Sequence, residues 1–208
     1  MSVADNQQSN VGGAEANGQT GKEAYGFPGM EPDGETGPRP YGQWTLDIWL
    51  SALLYVAYAH TRRVAPRLPD RIPVHFDFSG QPDGWGPVGF WGLYGVLIIA
   101  ALVAVGTSVA IWFMARARDP RRLINLPPKQ KERLTPAAAE RVRVVLMRSL
   151  GLMKLVTVLM LVHMHWLSLE VALGEREGLG FVPLGYTIVV IFLSLYMLAA
   201  TFLALGNS

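Results

Sequence analysis

Apolar residues in this chain fall into four blocks of roughly membrane-crossing length, and most of the charge lies between the blocks. That alternation constrains the fold more than any motif does. Crossing about 30 Å of hydrocarbon takes about 20 apolar residues in a helix. A single such segment must be helical, because lipid offers its backbone no hydrogen-bond partners. The blocks cover residues 44–60, 88–115, 150–171 and 181–205. The second and fourth contain no charged residue; the first carries Asp47, and the third carries Lys154 and Glu170. Ionisable groups in such segments point into the protein interior, so all four are read as spans. The predicted fold is an all-α membrane protein: a four-helix transmembrane bundle over 44–208.

The chain contains no cysteine, which excludes disulfides, thiolate zinc sites, iron–sulfur ligation and cysteine nucleophiles. Residues 1–43 lack any long apolar run, are rich in Gly, Asn, Gln and Pro, and set six acids against Lys22 and Arg39. Such a stretch buries too little surface to offset its ordering entropy, so a disordered cytoplasmic tail is expected. No basic stretch followed by a short apolar core marks a signal peptide, so the first span is expected to direct its own insertion.

Loop charge sets the orientation. Nine Arg and Lys residues, from Arg116 to Arg143, fall between spans two and three. Arg62, Arg63, Arg67 and Arg71 lie between spans one and two, and Arg176 alone lies in the last loop. The positive-inside rule places the second loop and both termini in the cytoplasm and the first and third loops outside. Topology and anionic lipid account for the basic loop, so nucleic acid is not an expected partner. Thr135 suits an N-cap and Pro136 a first helical position, so the third helix is expected to start before the bilayer. In span two, Ala100, Ala104 and Ser108 recur every four residues, a small-residue stripe that admits a close neighbouring helix.

The first loop is the most patterned. Pro69 and Pro73 favour extended backbone at Leu68 and Ile72. Val74, Phe76 and Phe78 alternate with His75 and Asp77, which is strand periodicity. Ser79-Gly80 and Asp83-Gly84 are turn signals. A short ordered external loop is predicted, with Phe76 and Phe78 buried on the bundle and His75 beside Asp77 on the opposite face.

Leu68, Pro69, Ile72, Pro73, His75, Phe76, Asp77, Gly80, Asp83 and Trp85 together resemble the motif of a membrane domain of unknown function, the 1648 family. That domain forms the N-terminal module of SdpI-type immunity proteins. Ile124-Asn125-Leu126-Pro127, followed by Leu134-Thr135-Pro136, is similar to the cytoplasmic loop of one branch of the family. With the spans, the resemblance covers roughly residues 44–170. It implies a multi-pass protein of the bacterial plasma membrane. Some relatives protect a producing cell from a secreted toxin peptide. Pro87 follows Gly86 where the family often has Ser-Lys, and the Gly-x-Arg-Thr pattern of longer immunity members is absent. The resemblance therefore extends to the broader family.

Two groups of residues are candidate sites. In the external loop, His75, Asp77, Asp83 and Trp85 could bind a divalent cation or the head of a ligand, or instead hydrogen-bond the loop's own backbone. Inside the membrane, Asp47, Ser51, Tyr55 and Tyr58 fall within about 80° on a helix, as do Lys154, Thr157, His165 and Ser168. Asp47 to Tyr58 and Lys154 to His165 are both eleven residues, so pairing Asp47 with Lys154 sets Tyr58 level with His165, about 16 Å further along. The alternative has Lys154 reaching the headgroups and Asp47 in the interface, each alone. His163 and His165 point about 200° apart and cannot share a metal, whereas His163 and Glu170 share a face.

No nucleotide fingerprint, phosphate loop, HExxH, GxSxG or calcium loop is present. A non-enzymatic protein without cofactor or resident metal is therefore expected. It would bind or sense an external peptide or lipid, or serve a complex with a membrane-protein partner or a second copy. The alternative is a small transporter or channel with Asp47, Lys154 and His165 along its path. An apolar interior between those residues favours the first reading, and a continuous wet path favours the second.

Overall fold

A computed structural model of the chain describes residues 41–125 and 127–206. Except for its last three positions, the expected tail lies outside the described residues. The elements run α1 (Tyr41–Val64), β1 (Arg71–Phe76), β2 (Pro82–Pro87), α2 (Phe90–Arg116), α3 (Pro128–Arg133), α4 (Pro136–Ala172) and α5 (Val182–Gly206). Three helices, α2, α4 and α5, are long and apolar enough to cross a membrane. α1 has the length, but Asp47, His60, Arg62 and Arg63 dilute its apolar content.

The four long helices expected from sequence are present and pack unequally. α4 is the hub, packed against α1, α2 and α5, while α1 and α2 also pack on each other. α1, α2 and α4 thus form a three-helix cluster, with α5 laid along α4. In α5 only Ala204 is buried among the described residues. An evenly apolar helix gains little by entering a protein interior, because lipid tails solvate it equally well.

α4 begins where its cap says it should. Thr135 Oγ1 accepts from the Ala138 N–H at 3.2 Å, and Pro136 occupies the first turn. Its 37 residues span about 55 Å, well beyond a hydrocarbon core. The first turns pack Ala138, Ala139 and Val142 against Ile124 and Leu134 of the preceding loop and Ala204 of α5. Arg143 is buried there. It donates to Glu140 Oε1 at 2.7 and 3.1 Å and reaches the carbonyls of Ala115 and Ala117 at 3.4 and 3.2 Å. A cation thus meets the carbonyls at the end of α2, where the helix dipole favours it.

β1 and β2 form an antiparallel hairpin over the opposite end of the helices. Ile72 is buried with Leu93 of α2 and Ala172 of α4. The expected face assignment is corrected here. Pairing is irregular between Pro73 and His75 and again between His75 and Phe76, so Pro73 joins Ile72 inside while Val74 and His75 are both exposed. A bulge shifts alternation in this way. Phe76 is half-buried, and Phe78, beyond the strand, is fully exposed. Gly80 adopts φ +79° at the turn, and its carbonyl accepts from the Leu179 N–H at 2.7 Å. A Cβ at Gly178 would overlap that carbonyl. Leu179 is itself buried, so the hairpin is fastened to the α4–α5 loop.

Candidate functional site

Asp47 of α1, Ser108 of α2 and Lys154 of α4 meet in the three-helix cluster. Lys154 Nζ lies 2.5 Å from Asp47 Oδ1 and 2.9 Å from Ser108 Oγ. Ser108 Oγ stands 2.8 Å from both Asp47 Oδ1 and Ala104 O. The hydroxyl accepts from the ammonium, and its single proton serves one of these two oxygens at a time. The Lys154 side chain is completely buried, while that of Asp47 is 30% exposed. An ammonium shut away from water is tolerable only with a carboxylate beside it.

Asp47 owes its partial exposure to a cavity of about 520 Å³ between α1 and α2. Trp44, Trp112 and Phe113 line it, together with Leu50, Val105 and Val109. Asp47 is the charged residue among those lining it.

The second expected pairing is corrected. Tyr58 does not face His165; it packs on Tyr94, ring centroids 5.6 Å apart. His165 instead lies 2.8 Å from Thr61 Oγ1. Thr61 Oγ1 also lies 2.9 Å from Ala57 O, and its single proton serves either that carbonyl, with Nε2–H donating to the hydroxyl, or Nε2 itself. The buried positions of α1 are Leu50, Ala57, Thr61 and Val64. Asp47 and Tyr58 lie about 60–80° to one side of Leu50, whereas Thr61 stays within about 20° of it. The polar stripe therefore flanks the buried face, leaving Ser51 and Tyr55 exposed. Between the Lys154 and His165 levels lies an apolar layer of Leu50, Ala57, Leu97, Val158 and Val162.

His163 and Glu170 do not come together. His163 Nδ1 lies 3.3 Å from the Tyr186 hydroxyl. Glu170 accepts from Trp166 Nε1 at 3.1 Å and pairs with Arg176 at 3.6 Å. Trp166 also stacks on His60 with ring centroids 3.6 Å apart, a contact the sequence reading missed.

In the hairpin, His75 Nδ1 meets Asp83 Oδ1 at 2.5 Å, and both side chains are exposed. Asp77 stands apart from them. Its Oδ1 accepts from Ser79 Oγ at 2.7 Å and from the Ser79 and Gln81 amides at 2.9 Å. The Ser79 hydroxyl, followed by the Gln81 amide, holds the Asp77 carboxyl below the usual carboxylate range. The carboxylate thus orders the turn and does not face His75, contrary to expectation. Trp85 is partly exposed, and its carbonyl accepts from Arg71 at 2.8 Å. Among the described residues, no three His, Asp or Glu side chains gather as a metal-ligand set.

Ser108 and Thr61 are the site members that sequence reasoning missed. Ser108 carried a signal, as the last position of the Ala100-Ala104-Ser108 stripe. Thr61 carried only its place one turn beyond Ala57.

Residues 48–101 match a family described as Domain of unknown function (DUF1648). The matched segment runs from α1 through the hairpin into α2, so Asp47, Ser108 and Lys154 fall outside it. No curated protein matches the chain, and no solved structure matches it either.

Proposed function

We propose that this protein is a small multi-pass carrier of a monovalent cation, working by exchange at the Asp47–Ser108–Lys154 cluster. One observation carries the reading: a fully buried ammonium is paired with a carboxylate that faces a cavity. A cation entering the cavity competes with Lys154 for Asp47. Lys154 has little room for a second positive neighbour at that distance. It yields by releasing a proton, so one cation enters as one proton leaves and the cluster's net charge is unchanged. The apolar layer of Leu50, Ala57, Leu97, Val158 and Val162 blocks a continuous wet path in this conformation. By the criterion drawn from the sequence, that layer weighs against an open pathway and toward the binding reading. The carrier reading stands beside it because a carrier, unlike a channel, is closed in each conformation. The layer is the barrier a carrier needs between its two sides.

In this reading α1 is the fourth span, its charge neutralised by Lys154, and the protein sits in a bacterial plasma membrane with both termini cytoplasmic. It works as a carrier and not as an enzyme. The test is a cation-driven proton flux in proteoliposomes loaded with a pH-sensitive dye. Addition of Na⁺, K⁺ or Li⁺ outside should alkalinise the lumen in wild type and leave Asp47→Asn unresponsive. Wild-type flux no greater than that of empty liposomes would remove the reading.

A second reading rests on the hairpin. Phe78 is fully exposed on a turn ordered by Asp77, with Val74 and Trp85 also exposed on the same hairpin. Such apolar groups on a fastened platform suit an external peptide or a membrane-protein partner, as in the immunity-like role. Loss of toxin-peptide protection in Phe78→Ser, with folding intact, would favour it.

A further inference from the structure

A second groove between α1 and α2 lies nearer the hairpin and encloses about 590 Å³. Leu54, Leu97 and Ala101 line it at depth, Phe90 stands at its hairpin end, and Arg62 is the charged residue among those lining it. Tyr58, one turn before Arg62 on α1, also lines it. The groove has a definite length. Leu54 to Arg62 spans about 12 Å of helix, and Phe90 to Ala101 about 16 Å. One leaflet's share of a bilayer's hydrocarbon is about 15 Å. The groove therefore runs from headgroup level to near the midplane, with the guanidinium at headgroup level.

Its width identifies the class of occupant. Spread over about 15 Å, the volume gives a mean cross-section of about 40 Å². A helix with side chains is about 10–12 Å across, roughly 80–110 Å² in section, and would seat only a ridge of side chains in the groove. A flexible hydrocarbon chain matches its section along the whole length. We propose that this groove holds an acyl chain of an anionic phospholipid from the hairpin-side leaflet, with the lipid phosphate on Arg62. Guanidinium suits a phosphate because its planar fork offers two parallel donors, and Tyr58 adds a hydroxyl at the same level. Phe90 and Tyr94 place aromatic rings where the headgroups meet the hydrocarbon. This inference does not depend on the carrier reading, since the groove excludes Asp47, Ser108 and Lys154.

The experiment uses the full chain, purified in mild detergent and stripped of lipid. Phosphatidylglycerol and phosphatidylcholine with identical tails are added separately, and retention is read by native mass spectrometry alongside thermal unfolding. Wild type should retain one phosphatidylglycerol about fivefold better than phosphatidylcholine, the scale of one basic residue at an anionic headgroup. Arg62→Gln should unfold at the wild-type temperature without lipid, yet retain the two lipids equally. Ala101→Phe fills the groove and should lower retention of both. Equal retention of the two lipids by wild type would overturn the proposal. So would a preference that survives in Arg62→Gln, or one that inorganic phosphate abolishes at equal concentration. A lipid-free dimer that Ala101→Phe dissociates would assign the groove to a second copy and likewise overturn it. If Ala101→Phe fails to fold, Arg62→Gln alone decides.

Discussion

Removing one member of the buried ion pair should cost more from the α1 side than from the α4 side. In Asp47→Asn, the fully buried Lys154 ammonium keeps Ser108 but loses its carboxylate. Breaking a buried pair in this way costs about 3–5 kcal/mol. In Lys154→Met, the remaining Asp47 keeps the Ser108 hydroxyl and its opening to the cavity, so the cost falls to about 1–3 kcal/mol. The double variant replaces the pair with neutral groups and should lie within about 1 kcal/mol of wild type. With the double variant near wild type, the coupling between the two sites is the sum of the single costs, about 4–8 kcal/mol. At about 2–4 °C per kcal/mol, Asp47→Asn should melt roughly 10 °C low at pH 7. The assay is thermal unfolding of the four proteins in mild detergent at pH 7. Single costs that simply add in the double variant would refute the pairing argument. An Asp47→Asn deficit no larger than that of Lys154→Met would refute the buried-ammonium argument.

Three other outcomes are expected. A cysteine at Gln81 should react with an impermeant thiol reagent in intact cells and one at Gln130 should not; the reverse pattern would invert the topology. Because the Asp77 carboxyl titrates below its unfolded value, its contribution to the hairpin is fully present above about pH 4 and lost as pH falls through the lower folded value. Amide exchange at Ser79 and Gln81, corrected for intrinsic rate, should accelerate only below pH 4, and Asp77→Asn should remove that step. Gly80→Val forces a β-branched residue to φ +79° and sets a side chain against Gly180, so it should cost about 2–3 kcal/mol and free the hairpin from the α4–α5 loop. The Leu179 amide, which donates to Gly80, should exchange faster in the variant, and an unchanged rate would count against the docking.

Certain features were legible in the sequence because one element decided them. Length and charge-free composition marked α2 and α5 as membrane-crossing, since lipid leaves the backbone no choice but a helix. Thr135 and Pro136 announced the start of α4, because a cap is satisfied within its own first turn. The Asp47–Lys154 pairing was legible as well. One carboxylate and one ammonium stranded in apolar segments are costly enough alone to seek each other. What required tertiary structure was every decision made between elements. Tyr58 lies on the polar stripe of α1 and Thr61 on the face beside it, and only the way α1 lies on α4 placed Thr61 against His165. Strand periodicity put Phe78 inside, until the bulges shifted the faces and the Asp77 turn carried it into the open. Ser108 was visible as a small residue, but its role as the third member of the charge cluster depends on α2 reaching both α1 and α4. Backbone hydrogen bonding and capping are settled within a few residues, whereas the choice of neighbour is settled by packing, which one segment's pattern does not encode.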